Sequence, residues 1–191
     1  MSDLPLFVEF PKIARLSRDM VVTEKLDGTN ASVYVGEDGL VLAGSRNRWL
    51  TLEQDNFAFA RWVSEHEDEL RLLGPGQHFG EWWGSGIQRR YGLTGNDKRF
   101  SLFNVARWGD PAKRPPCCHV VPVLLRWTFD AAKVDEALES LAATGSVAAP
   151  GYPYPEGVVV FHAASGQLFK KTLDKHDGHK GPPVKVDSGA E

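Results

Sequence analysis

The run Glu24-Lys25-Leu26-Asp27-Gly28-Thr29-Asn30 puts an amine, carboxylates, a glycine and an amide side by side. A lysine in an apolar stretch is costly unless its charge has partners or its amine is neutral. Asp27 lies two residues on and projects to the same side of an extended chain. Gly28 permits a tight turn or a close approach to a ligand, and Asn30 offers both a donor and an acceptor. These residues suit a nucleophilic lysine; they suit equally a surface Lys–Asp pair beside a hairpin. Three later segments repeat the oddity of charge inside apolar sequence: HFGEWWG carries Glu81, PEGVVVFH carries Glu156, and QLFKKTLD carries Lys170 and Lys171. Lone buried carboxylates are expensive. Gathered around one cleft, these glutamates and lysines could satisfy one another, and such a cleft suits a substrate carrying phosphates and a metal ion. A structural salt-bridge network uses the same residue types.

The elements that must position these groups follow from pattern. Val21–Val22 and Ala31–Val35 read as strands on either side of a polar turn at Gly28, and Asp38–Gly39 is a hairpin turn into a returning strand, LVLAG. Leu52 to Leu73 carries Phe57, Ala60, Trp62, Val63 and Leu70 at helical spacing, with an acidic opposite face. Gly74-Pro75-Gly76 ends it, QHFGEWWG is a strand, 86–99 a loop, and FSLFNVARW and VVPVLL are further strands. Asp130 caps a second helix to Leu141, with Val134, Ala137, Leu138 and Leu141 inward. EGVVVFH and QLFKK are strands joined at Ser165–Gly166. Many strands with two helices predict an α+β fold built from antiparallel sheets with flanking helices.

Composition narrows the class. The 191 residues suit one domain with a substantial core. With 42% hydrophobic and 25% charged residues and a mean hydropathy of −0.30, the chain reads as globular. The net charge of −3 carries no global hint of nucleic acid. Residues 86–114, however, hold seven basic side chains against two acidic ones, with Trp82, Trp83, Tyr91 and Trp108 within or beside them. Basic and aromatic groups together suit a single strand or an end. Cys117 and Cys118 are adjacent, which excludes a disulfide scaffold and fits a reducing cytoplasm. No signal peptide or membrane span is read.

In their order, these segments resemble the covalent nucleotidyltransferase superfamily of polynucleotide ligases and messenger RNA capping enzymes. Within it, the likeness is to ATP-dependent RNA ligases of the second phage T4 type. Lys25-Leu26-Asp27-Gly28 resembles the nucleophile motif K-x-[DH]-G, and Glu24 to Asn30 its extended form E-K-x-x-G-T-N. SRNRWL looks like the motif that supplies an arginine, Arg46; FGEWWG the third motif, with Glu81; KRFSLFNV the aromatic motif, with Phe103. EGVVV matches the fourth motif, with Glu156, and LFKKT the fifth, whose usual form is K-x-K. The resemblance implies an ATP-grasp-like ligase adenylation domain, expected over residues 1–180; family members usually append an oligonucleotide-binding or helical domain, whereas here only a polar tail, 181–191, is expected and no appended domain.

The resemblance also implies roles. Lys25 attacks the α-phosphate of ATP, so its amine must be neutral, against an ordinary lysine pKa of about 10.4. Asp27, Glu156, Lys170 and Lys171 join it as catalytic groups; Glu156 and Asp27 would hold Mg²⁺ or Mn²⁺. Glu24, Lys25, Gly28, Asn30, Arg46, Glu81, Phe103, Glu156 and Lys170 would line the nucleotide site, with Glu81 on the ribose hydroxyls and Phe103 on adenine. Two departures stand out. Adjacent lysines on a strand face opposite sides, so Lys170 is favoured for the cleft, with a bulge, Lys175 or Lys180 as compensation. Asp27 stands where the phage type carries histidine, as in DNA ligases. Alternative readings are a minimal ATP-dependent DNA ligase, a guanylyltransferase, or a degenerate nucleic-acid-binding module. The expected partners are RNA or nicked duplex or mixed nucleic-acid ends and a separate nucleic-acid-binding protein, with the chain itself a monomer.

Overall fold

The computed structural model describes residues 6–173. Its strands run in chain order as β1 (Asp19–Lys25), β2 (Thr29–Val35), β3 (Val41–Ser45), β4 (Gly76–Gly84), β5 (Lys98–Leu102), β6 (Cys118–Val120), β7 (Val123–Thr128), β8 (Gly157–His162) and β9 (Gln167–Thr172). They form two sheets, one in the order β7-β1-β8-β9 and the other β3-β2-β4-β5-β6. Every pair is antiparallel except β5 with β6. The architecture is mixed α+β, as the strand-rich pattern implied. Among the described residues no helix is long and apolar enough to cross a membrane.

Period-2 alternation gives each sheet one core face. In the five-stranded sheet, Ala31, Val33, Val35, Val41, Ala43, Trp82, Phe100 and Leu102 pack against Phe59, Ala60 and Val63 of α1 (Phe59–Glu65) and Leu70 of α2 (Glu67–Leu70). In the four-stranded sheet, Met20, Val22, Val158 and Val160 pack against Val134, Leu138 and Leu141 of the longest helix, Ala131–Thr144. A third cluster, Leu26, Trp83, Tyr91, Val121 and Ala149, contains both places where the chain passes from one sheet to the other, at 26–28 and at 121–122. The loop that follows the candidate nucleophile is thus a bridge between sheets and not a hairpin turn, because β1 and β2 do not pair.

Three local expectations are corrected. VVPVLL is two strands in different sheets: Val121 still donates to Leu102, then Pro122 offers only its carbonyl, which accepts from the Glu24 amide at 2.9 Å. FSLFNVARW is strand only to Leu102; Asn104 then accepts from the Arg107 amide and caps the short helix α3 (Val105–Trp108). Helix within 52–73 begins only at Phe59, after Phe57 and Ala58 take left-handed φ of 52° and 65° and the Asp55 carboxylate collects the amides of Ala60 and Arg61. The helix over Ala131–Thr144, α4, starts where expected. Asp130 accepts from the Ala132 amide at 2.9 Å. Lys175, Lys180 and the 181–191 tail lie outside the described residues.

Replacing Asp130 with Ala removes this cap and is expected to lower stability by about 1 kcal/mol. The midpoint of urea unfolding, read at unchanged slope, checks the value.

Candidate active site

Lys25 ends β1 opposite Gly157, the first residue of β8. Glu156, one residue earlier, therefore lies beside the lysine, and its Oε2 accepts from Lys25 Nζ at 2.6 Å. Burial raises the Glu156 carboxyl above its usual range; the hydrogen bond and charge of Lys25 pull it back down.

Gly28 follows on the bridge. A Cβ there would fall on the Trp82 carbonyl oxygen and within 2.7 Å of the Trp83 Cβ, so the loop lies tightly against β4. That approach lets the Gly28 amide donate to Glu81 Oε1 at 3.0 Å, while Asn30 Nδ2 donates to Oε2 at 3.1 Å. The second contact follows from register, since Asn30 faces Glu81 across β2 and β4. Glu81 is only 7% exposed, and burial pushes its pKa up to about 7 against the lowering effects of Gly28, Lys25 and Asn30.

Asp27 is held from another side. Arg89 Nε donates to Asp27 Oδ2 at 3.0 Å, and the Asp27 amide donates to the Tyr91 hydroxyl at 2.7 Å. Gln88, Arg90 and Tyr91 adopt left-handed φ of 41°, 59° and 53°, a backbone that costs non-glycine residues on the order of 1–2 kcal/mol each. The buried Tyr91 ring and the two contacts to Asp27 hold that strained turn in place. Neither Arg89 nor Tyr91 was identifiable as a partner of Asp27 from sequence, and no spacing links them.

The other candidates divide. Lys170 pairs with Val159, and Lys171 with Val158, whose side chain is in the core under α4. Lys171 accordingly lies on the α4 face and forms an ion pair with Asp135 of that helix, so it is not a cleft residue. Lys170 lies on the other face, in the row of Thr23 and Val159 and on the same side as Lys25. The Glu24 carboxylate is 1% exposed and accepts from Ser146 Oγ, the Val147 amide and the Ala148 amide at 2.6, 2.9 and 2.9 Å. It is fully engaged in tying the 146–148 turn to β1 and has no accessible oxygen for a nucleotide; its role is positional. Arg46 lies just past β3, one residue beyond the Ala31–Ser45 pair, and lines an open cavity of about 270 Å³ with Asn47, Trp49 and Gln77. Phe103 follows β5, its amide donating to the Phe79 carbonyl, and its ring is 41% exposed.

The basic stretch is largely structural. Arg99 pairs with Asp97 and lies over the Trp83 ring, Arg107 donates to the Leu73 carbonyl, and Arg114 donates to the carbonyls of Trp108 and Cys118. Trp82, Trp83, Tyr91 and Trp108 are buried. A continuous basic and aromatic strand path along 86–114 is therefore not what these residues form.

The two sheets thus meet beside Lys25, with Glu156, Asp27 and Glu81 brought near it from separate segments of the chain. A model of the RNA ligase family matches residues 18–173, and the chain belongs to that family. Among solved structures it is similar to Naegleria gruberi RNA ligase. A lysine-to-alanine mutant with ATP and Mn matches at 22% identity and a TM-score of 0.59, over 82% of this chain and 49% of that one. A glutamate-to-alanine mutant with AMP and Mn matches at 20% identity and a TM-score of 0.60, over 88% of this chain and 57% of that one. The chain spans about half the length of these relatives. No curated protein sequence matches it.

The raised Glu81 pKa makes stability pH-dependent. The folded state keeps a proton that the unfolded chain has released, so this contribution is full below about pH 4.5 and is lost as pH rises through about 7. The stability of wild type relative to Glu81→Gln is expected to fall by on the order of 3 kcal/mol between those limits. Urea unfolding of both proteins across that range checks it.

Proposed function

We propose that this chain is the nucleotidyltransferase part of an ATP-dependent RNA ligase, which joins 5′-phosphate to 3′-hydroxyl ends through a covalent lysyl-AMP at Lys25. The observation that carries the reading is the Lys25 amine, 2.6 Å from Glu156, at the seam of the two sheets on the same face as Lys170. Family membership and the ATP, AMP and Mn named for the solved relatives support the nucleotide and the divalent ion.

The groups fit that chemistry. Glu156 Oε2 holds the Lys25 ammonium in place, and release from that carboxylate beside the cations that bind the phosphates lets the amine lose its proton. The neutral amine attacks the α-phosphorus of ATP. A nitrogen–phosphorus bond forms, the bond to the bridging oxygen breaks, and pyrophosphate leaves with the electron pair. An oxygen of a 5′-phosphate end then attacks the AMP phosphorus, and Lys25 leaves and regains its proton. Finally a 3′-hydroxyl attacks the activated end and AMP departs. Lys170 and Arg46 supply positive charge for the phosphate oxygens, Glu81 and Asn30 meet the sugar, and Phe103 offers a face for adenine.

Among the described residues no three His, Cys, Asp or Glu side chains cluster as a cage for a metal. A cation held chiefly by substrate phosphates needs only a carboxylate or two, and Glu156 and Asp27 are suited to supply them. When bound, it would neutralise charge on the phosphate oxygens.

Intact mass after incubation with ATP and Mg²⁺ is expected to rise by one AMP, and Lys25→Ala is expected to lose the adduct completely. An adduct formed from GTP instead would favour the guanylyltransferase reading. Lys170→Ala is expected to slow adduct formation by about 100-fold or more, whereas Lys171→Ala, on the α4 face, is expected to stay within about 3-fold of wild type. Single-turnover rates separate the two.

A further inference from the structure

The strap Tyr152-Pro153-Tyr154-Pro155 runs straight into Glu156. It is tied down on both sides. The Tyr152 hydroxyl donates to the Arg89 carbonyl at 3.2 Å, Arg89 Nη1 donates to the Tyr154 carbonyl at 3.3 Å, and Pro155 is buried. The prolines fix φ on either side of Tyr154. An aromatic series leads out along this strap from the core beneath the nucleophile loop. Trp83 packs on Tyr91 and Tyr91 on Tyr152, each with ring centroids 5.0 Å apart. Tyr154 ends the series, its ring 6.0 Å from Tyr152 and 68% exposed.

The strap that bears this exposed ring adjoins the site. The guanidinium that holds its carbonyl also holds the Asp27 carboxylate, two residues from Lys25. Arg90, the next residue on this left-handed turn, is exposed. A rigid, uncovered aromatic face with positive charge beside it matches what binds an unpaired nucleobase and its phosphate, because every base has a face to stack and little ordering cost remains. Phe103 lies elsewhere, after β5 on the other sheet.

We propose that Tyr154 is the stacking platform for the unpaired terminal base of a 5′-phosphorylated polynucleotide end, with the exposed Arg90 attracting its phosphate and Arg89 holding the strap in place. The assignment rests on the ligase reading above. It is tested by fluorescence anisotropy with a 5′-phosphorylated single-stranded RNA of about 12 nucleotides, labelled at its 3′ end. Tyr154→Ala and Tyr154→Leu are expected to weaken binding about 10-fold, while Tyr154→Phe and Tyr154→Trp remain within about 2-fold of wild type. The leucine variant keeps the bulk if the alanine variant fails to fold. Wild-type binding by both Ala and Leu variants, no RNA binding by wild type, or an equal loss of ATP affinity would each overturn the assignment. Failure of the ligase reading registers separately, as absence of an AMP adduct on the wild-type chain.

Discussion

Lys25 and Glu156 meet at 2.6 Å where the ends of β1 and β8 lie side by side, and this ion pair is the point around which the molecule is organised. Its position is dictated by strand pairing: Lys25 opposite Gly157 brings its amine to the Glu156 carboxylate, which also feels the charges of Arg89 and Asp27. An ion pair half withdrawn from water persists only if the surrounding polar groups are satisfied. Each acidic residue around it is stitched to a different part of the chain: Glu24 to the turn at 146–148, Asp27 to the turn at 89–91, and Glu81 to the bridge at Gly28 and Asn30. These contacts span 51 to 124 residues of sequence. They hold two sheets with separate cores in one arrangement.

The same contacts prepare the site electrically. Burial raises the carboxyls of Glu24, Glu81 and Glu156, and each is offset by its own donors. In the proposed reaction Lys25 exchanges one partner, Glu156, for the phosphate of a nucleotide. Low exposure strengthens both interactions, so the choice between them is made by what else enters the pocket. Tyr91 supports this indirectly. Its hydroxyl holds the Asp27 amide while its ring seals the cluster under Leu26.

Much of this was legible in residue order. The motif residues Lys25, Glu81 and Glu156 come together, and the alternation rule separates Lys170 from Lys171 correctly because β9 is regular through both. Other features depend on partners far along the chain. Nothing about Glu24 marks it as a buried tie to Ser146, and the adjacency to Lys25 suggests nucleotide contact instead. The cations of 86–114 read as a binding surface, yet Arg107 and Arg114 hold backbone carbonyls, and Arg99 and Lys113 pair with nearby aspartates. Two misread elements did carry a local signal. Pro122 interrupts VVPVLL where a ladder amide is needed, and Asn104 is a ready cap for the helix that follows.

The central claim is that the Lys25 amine passes from Glu156 to the α-phosphate of a bound nucleotide. A structure of the chain with Mg²⁺ and a non-hydrolysable ATP analogue measures it directly. The account predicts Lys25 Nζ released from Glu156 and about 3–3.5 Å from the α-phosphorus, opposite the pyrophosphate. A nucleotide bound with its phosphates elsewhere, and Lys25 still on Glu156, would contradict it.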